Sequence, residues 1–145
     1  MTAPAAVLAI GDTAWSRTFG PVTRSDIVRY AGASGDFNPI HHDEEFARSA
    51  GFSTVFSIGM FQASLLASFA TQWLGADRIR QFGVRFREQV WPGDVLTCSG
   101  RVTAIEPAGD QQRVEVELTC TRQDGSVAVT GTAVFAVPTE SADDD

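Results

Sequence analysis

The side chains able to do chemistry gather in one short stretch, Ser34-Gly35-Asp36-Phe37-Asn38-Pro39-Ile40-His41-His42-Asp43. An imidazole titrates nearest neutral pH and can give or take a proton. A carboxylate can orient a water or accept its proton. Asp36 and His41, if they converge, suggest water or proton chemistry rather than covalent catalysis. No nucleophile has a recognisable setting, and no strand-to-helix nucleophile elbow is present. All 11 basic residues are Arg, which excludes a Schiff-base lysine, a P-loop lysine and a Ser-Lys dyad. His41, His42 and Asp43 are adjacent, a poor arrangement for converging on one ion, and no third distant His exists; no metal site is expected. Cys98 and Cys120 make neither a zinc site nor a disulfide framework.

Positioning that pair requires a loop. On an α-helix a spacing of five turns two side chains about 140° apart. Pro39 lacks an N–H and biases Asn38 toward extended backbone, while Gly35 permits a sharp turn on the other side. Asp36 and His41 are therefore expected in irregular chain. By residue type alone, the better reading is that Asp36 caps a turn and His41 fills a polar pocket.

The flanking elements are legible. Trp15 to Phe19 suits a short strand. Thr23 suits an N-cap for a short helix through Ile27, Val28 and Tyr30, with Asp26 favourable in its first turn. A second short helix is expected from Asp43 to near Gly51. Between Arg48 and Asp77 lie 28 residues without a charge. Gln62, Ser64, Ser68, Thr71 and Gln72 interrupt that run, so it reads as a helix buried in protein rather than in lipid, over about 59–74, closed by Gly75.

Beyond it the period becomes two. Phe82, Val84 and Phe86 alternate with Gly83, Arg85 and Arg87. Leu96, Cys98, Gly100, Val102 and Ala104 share one face, as do Val114, Val116, Leu118 and Cys120. Turns are expected at Trp91–Asp94, Pro107–Asp110 and Asp124-Gly125, with a last strand over Ser126–Val137. The pattern predicts an α+β domain in which a four-stranded antiparallel meander and one further strand wrap a buried helix. Both cysteines fall on inward faces and read as core.

The length suits a single domain, over 9–138 with flexible termini at 1–8 and 139–145. The net charge of -7 argues against nucleic acid. Four acids fall in the last six residues, leaving 14 acids against 11 arginines. The first eight residues lack the basic region of a signal peptide; a cytoplasmic protein with reduced thiols is expected.

The run from Tyr30 to His41 resembles the hydratase signature of the MaoC-like hot-dog family, which includes (R)-specific enoyl-CoA hydratases and (3R)-hydroxyacyl thioester dehydratases. The likeness continues through Asp43, Phe46, Ala47, Gly51-Phe52 and Gly59-Met60. It implies a single hot-dog domain, an antiparallel sheet wrapped around one long helix. It implies Asp36 and His41 as the catalytic pair, Asn38 as support for the site, and the Gly59 backbone N–H as oxyanion donor. It further implies an acyl tunnel beside the buried helix, with Phe56, Phe61, Leu65 and Phe69 as candidates to line it, each also readable as core. Arg85 and Arg87, from a bunched set with Arg78 and Arg80, are candidates for the ligand phosphates and equally readable as a solvated strand face. The substrate would be a CoA or acyl-carrier-protein thioester, with no cofactor and no membrane. A shared sheet would join a homodimer or a heterodimer. One departure stands out: Ser57-Ile58 replaces the Ala-His often found before that Gly-Met. Two other readings remain, a noncatalytic or partner-dependent hot-dog subunit and a hot-dog thioesterase. The intact Asp36-Asn38-His41 set argues against the first, and the second would need no such set.

Overall fold

Thr23 opens the first helix through two reciprocal hydrogen bonds. Its Oγ1 accepts from the Asp26 N–H at 3.0 Å, and its own N–H donates to Asp26 Oδ2 at 2.8 Å. This box satisfies donors that a helix start leaves without partners. Helix α1 (Arg24–Ser34) stops at Gly35, whose φ of 74° suits a residue without Cβ. Asp43 caps α2 (Glu44–Ser49) in the same manner, accepting from the Phe46 N–H at 3.1 Å. Helix α3 spans Gly59–Leu74 and ends at Gly75. These bounds come from a computed structural model, which describes residues 7–139.

Five antiparallel strands surround α3: β1 (Arg17–Phe19), β2 (Ile79–Phe86), β3 (Leu96–Ala108), β4 (Gln111–Thr121) and β5 (Val127–Pro138). Their order in the sheet is β1-β3-β4-β5-β2. The expected four-stranded meander is thus corrected. Only β3, β4 and β5 follow one another; β2 lies against β5, from Ile79 opposite Phe135 to Phe86 opposite Val129. Tight turns at Gly109-Asp110 and Asp124-Gly125 allow two hairpins. Residues 87–95 are instead a crossover, held at its middle by Val90, which is fully buried and accepts from the Ser57 N–H at 2.8 Å.

Asp94 anchors the end of that crossover. Its carboxylate accepts from the Trp91 N–H at 2.8 Å, from Arg122 Nε at 2.8 Å and Nη2 at 3.2 Å, and from Gln123 Nε2 at 2.7 Å. Burial alone would raise its pKa, but the bonds from Arg122, Gln123 and the Trp91 N–H outweigh burial and hold it below the usual carboxylate range. Arg122 also reaches Glu88 at 3.6 Å.

A bulge in β3 changes which residues face inward. Val102 pairs with Val116, but Ala104 then pairs with Glu115 and Ile105 with Val114. One extra residue flips the alternation, so Ile105, not the expected Ala104, packs against the core. The inward face of α3 carries Ala63, Leu66, Phe69, Ala70 and Leu74. The sheet meets it at glycines. A Cβ on Gly100 would lie 2.8 Å from Trp73 Cζ3, and one on Gly131 would lie 3.1 Å from Leu66 Cδ2. Cys98 and Cys120 are buried cross-strand partners in this core.

Of the segments expected to be flexible, Leu8 packs on the core and Thr139 donates from its N–H and its Oγ1 to the Asp110 carbonyl. Residues 1–6 and 140–145 lie outside the described residues. Among the described residues no helix is long and apolar enough to cross a membrane.

Candidate active site

The chemistry-bearing stretch folds as a turn stapled by its own side chains. After Gly35, Asp36 Oδ1 accepts from the Asn38 N–H at 3.3 Å. Asn38 Oδ1 in turn accepts from the Ile40 N–H at 3.1 Å. That bond caps a single 3-10 turn, Pro39–His41, with Pro39 at its first position where no N–H is needed. The sequence led us to expect irregular chain throughout; His41 instead closes this turn. Asn38 therefore holds Asp36 with its backbone and the turn bearing His41 with its side chain.

His41 is half-buried, and its Nδ1 lies 2.7 Å from the Phe56 carbonyl oxygen. A carbonyl only accepts, so Nδ1 carries the proton and neutral His41 keeps its lone pair on Nε2. The ring meets Phe56 edge-on, with centroids 5.2 Å apart, and Phe56 packs in turn against Phe52 at a tilt and Trp91 edge-to-face. The neighbouring polar residues serve the loop itself. His42 Nε2 donates to the Phe37 carbonyl at 3.3 Å, and Asp43 caps α2. Among the described residues, no three His, Cys, Asp or Glu side chains gather where they could hold a metal ion.

Three residues after Phe56, helix α3 begins. Its N-cap, Ile58, is buried and makes no side-chain capping bond. The Gly59 N–H has no hydrogen-bond partner among the described residues, and it stands at the positive end of the helix dipole. Gly59 lines a cavity of about 340 Å³ together with Phe56, Ser57, Gln62, Phe86, Arg87 and Glu88. A Cβ on Gly59 would come 3.0 Å from the Phe86 ring.

Phe56 and Arg87 thus line this cavity with Gly59, while His41 joins it through the Phe56 carbonyl. The other candidates stand elsewhere. Phe61 packs on Phe19 and Tyr30, with centroids 5.7 and 5.4 Å away, beside a separate groove between α1 and β1. Leu65 is half-buried against the core, and Phe69 is buried beside Trp15. Arg85 lies on the outer sheet face, in a second groove of about 730 Å³ that Arg87 also lines, with Glu115, Glu117 and Thr132. That groove is larger, but it gathers strand-face side chains and not Gly59; Asp36 and His41 line neither space, and His41 reaches the smaller one only through its bond to the Phe56 carbonyl.

Gln62, Phe86, Glu88 and Gln89 line the cavity without being candidates by sequence. Phe86 reads as an apolar member of an alternating strand and Gln62 as an interruption of an apolar run, yet Gln62 is 2% exposed and accepts at Oε1 from Ser57 Oγ at 2.7 Å. The signal was the pair itself: Ser57 before the N-cap and Gln62 in the first turn occupy the positions where an apolar staple is usual.

The structure thus presents a histidine with a defined lone pair, a carboxylate tied to its turn through Asn38, and an unpartnered N–H at a helix start. Comparison with known proteins supplies the family. Residues 7–124 match the MaoC like domain. The chain is 32% identical over 120 residues to an (R)-specific enoyl-CoA hydratase of Rhodospirillum rubrum, covering 81% of each. It superposes on the (R)-hydratase from A. caviae involved in PHA biosynthesis with a TM-score of 0.79 and 29% identity, over 91% of this chain and 98% of that one. It superposes on a chain of the ChsH1-ChsH2 complex from Mycobacterium tuberculosis with a TM-score of 0.78 and 25% identity, over 89% and 98%. By its matched residues, its strand order and its single enclosed helix, the chain belongs to the MaoC-like domain family of hot-dog proteins.

Proposed function

We propose that the protein hydrates 2-enoyl thioesters to (R)-3-hydroxyacyl thioesters, or runs the reverse dehydration, with Asp36 and His41 as the acid–base pair and the Gly59 N–H as oxyanion donor. One observation carries this reading. Asn38 ties Asp36 to the turn of His41, and the carbonyl that His41 holds belongs to Phe56, a wall of the cavity onto which Gly59 opens.

In the forward direction the water oxygen bonds to C3 and the C2–C3 π pair moves toward the thioester carbonyl. The oxygen gains negative charge, which a helix start and its N–H stabilise. His41 Nε2 has the lone pair to take the water proton, Asp36 holds the water, and the pair returns a proton to C2. Both directions cross one transition state, so the same groups serve each. Arg87, just past the end of β2, lines the Gly59 cavity as well as the outer groove and is the better placed of the two arginines for the phosphates of CoA or of a carrier arm; Arg85 lines the outer groove alone.

The edge of β2 away from β5 is unpaired among the described residues. A second copy, or a related chain, would continue the sheet there. The likeness to one chain of a two-chain complex favours testing a partner-dependent form beside a homodimer.

The test is loss of enoyl absorbance with crotonyl-CoA, longer enoyl-CoAs and bulky enoyl-CoAs, with the chain alone and with candidate partner chains. Wild type should turn over at least one of them. Asp36→Asn and His41→Ala should each lose about a thousandfold or more in kcat. Silence on every substrate, or variants at wild-type rates, would sink the assignment.

A further inference from the structure

The carboxamide of Gln62 is almost fully buried, and only half of it is used within the protein. Oε1 accepts from Ser57 Oγ. Nε2 has no partner among the described residues, yet no fully enclosed side-chain nitrogen or oxygen lacks one. Nε2 is therefore the part of Gln62 that reaches open space, and the space Gln62 lines is the cavity above Gly59.

Helix geometry brings the two donors together. Gly59 is the first residue of α3 and Gln62 the fourth. Residues three apart share a helix face, and side chains lean back toward the helix N-terminus. The bond to Ser57, two residues before Gly59, shows that the Gln62 carboxamide does reach back past the helix start. Ser57 itself is fixed, 2% exposed, with its N–H on the Val90 carbonyl. Holding a carboxamide in this buried setting costs side-chain entropy and desolvation that an apolar staple would avoid. With no protein acceptor on Nε2 among the described residues, this N–H is free to donate to a molecule that enters the cavity.

We infer that Gln62 is a second hydrogen-bond donor to the thioester carbonyl, acting with the Gly59 N–H and oriented by Ser57. The inference rests on the hydro-lyase reading above and adds a residue to it. The carbonyl oxygen gains charge as water adds and loses it when C2 is protonated, so a donor fixed in advance favours the transition state over the ground state. Ser57 does not touch the substrate; it is a positioning residue.

The test uses the full chain with Gln62→Met, which keeps length and volume but removes the donor, and with Ser57→Ala. For Gln62→Met, kcat on the best enoyl-CoA should fall about a hundredfold while KM stays within about threefold. Ser57→Ala should lose less, because the N–H groups remain. A second readout does not depend on turnover. Butyryl-CoA labelled with carbon-13 at the carbonyl is bound, and its carbonyl stretch is followed by difference infrared spectroscopy. The downshift on binding should shrink in Gln62→Met and persist in part through Gly59. Wild-type kcat and an unchanged carbonyl frequency in Gln62→Met would overturn the inference and leave the hydro-lyase reading standing. A wild type that neither turns over an enoyl-CoA nor binds butyryl-CoA would overturn both. Equal losses of melting temperature in the two variants, with the carbonyl frequency unmoved, would mark the pair as a helix staple only and overturn the donor role.

Discussion

His41 Nδ1 and the Phe56 carbonyl oxygen lie 2.7 Å apart across 15 residues of chain. The contact fixes the imidazole in one tautomer while Phe56 packs against its edge. Nitrogen-15 correlation spectra should show neutral His41 protonated at Nδ1 and bare at Nε2. The opposite tautomer would remove Nε2 as the nitrogen that takes the water proton.

A side chain at position 59 would press on the Phe86 ring, 3.0 Å from a Cβ placed there. The Phe86 side chain is on the surface, 54% exposed, and can move aside. Gly59→Ala should therefore change stability by less than about 1 kcal/mol, since alanine also favours helix. Activity should fall by tenfold or more, on the order expected when a reacting carbonyl is displaced from its donor. A melting curve and a kcat measurement separate the two effects; wild-type activity would show that the ring does not guard the site.

Asp94 predicts an acid limb in stability. Its carboxyl is held low in the folded protein, so its contribution is present above the usual carboxylate range and lost as pH falls through and below it. Urea midpoints of wild type at pH 7 and about pH 3 should differ more than those of Asp94→Asn. Asp94→Ala, which leaves the Arg122 guanidinium without its buried partner, should cost about 3 kcal/mol at neutral pH.

Gly100 lies under the helix. Gly100→Ala would press a methyl into Trp73, Leu118 and Phe69 and should cost about 1–3 kcal/mol by chemical denaturation. An unchanged midpoint would mean the helix can lift off the sheet.

The two thiols differ although they are paired. A hydrogen bond to Cys98 and burial push the Cys120 thiol far up, while the same bond favours the thiolate of Cys98. Both are buried, so a thiol-specific label should modify neither under native conditions and both after unfolding. Fast labelling of either thiol in the folded state would contradict this.

Much of this was legible in the chain before folding. Thr23, Asp43 and Gly59 mark helix starts by local chemistry, and the uncharged run marks α3, because these signals act within a turn or two. Strand order was not legible, since period-two alternation tells which face is buried and not which neighbour is paired. The bulge after Val102 was hidden for the same reason: an alternating string has no mark for an unpaired residue. The Asp36–His41 stretch announced its chemistry through its residues, but Asn38 as the tie between them and Phe56 as the partner of His41 needed coordinates. Gln62 was hidden in plain view, because a polar residue in an apolar helix looks like surface until its partner is seen.

The glycine contacts beneath α3 also say where the protein could change its substrate. Trp73 and Leu66 already fill the space over Gly100 and Gly131, so α3 can neither sink nor be padded from below. Its height above the sheet is set. Room for a longer or bulkier acyl group has to come from the cavity walls, above all from the exposed ring of Phe86. Diversification in such a scaffold would be read in wall positions such as 56 and 86, while the contact between helix and sheet stays still.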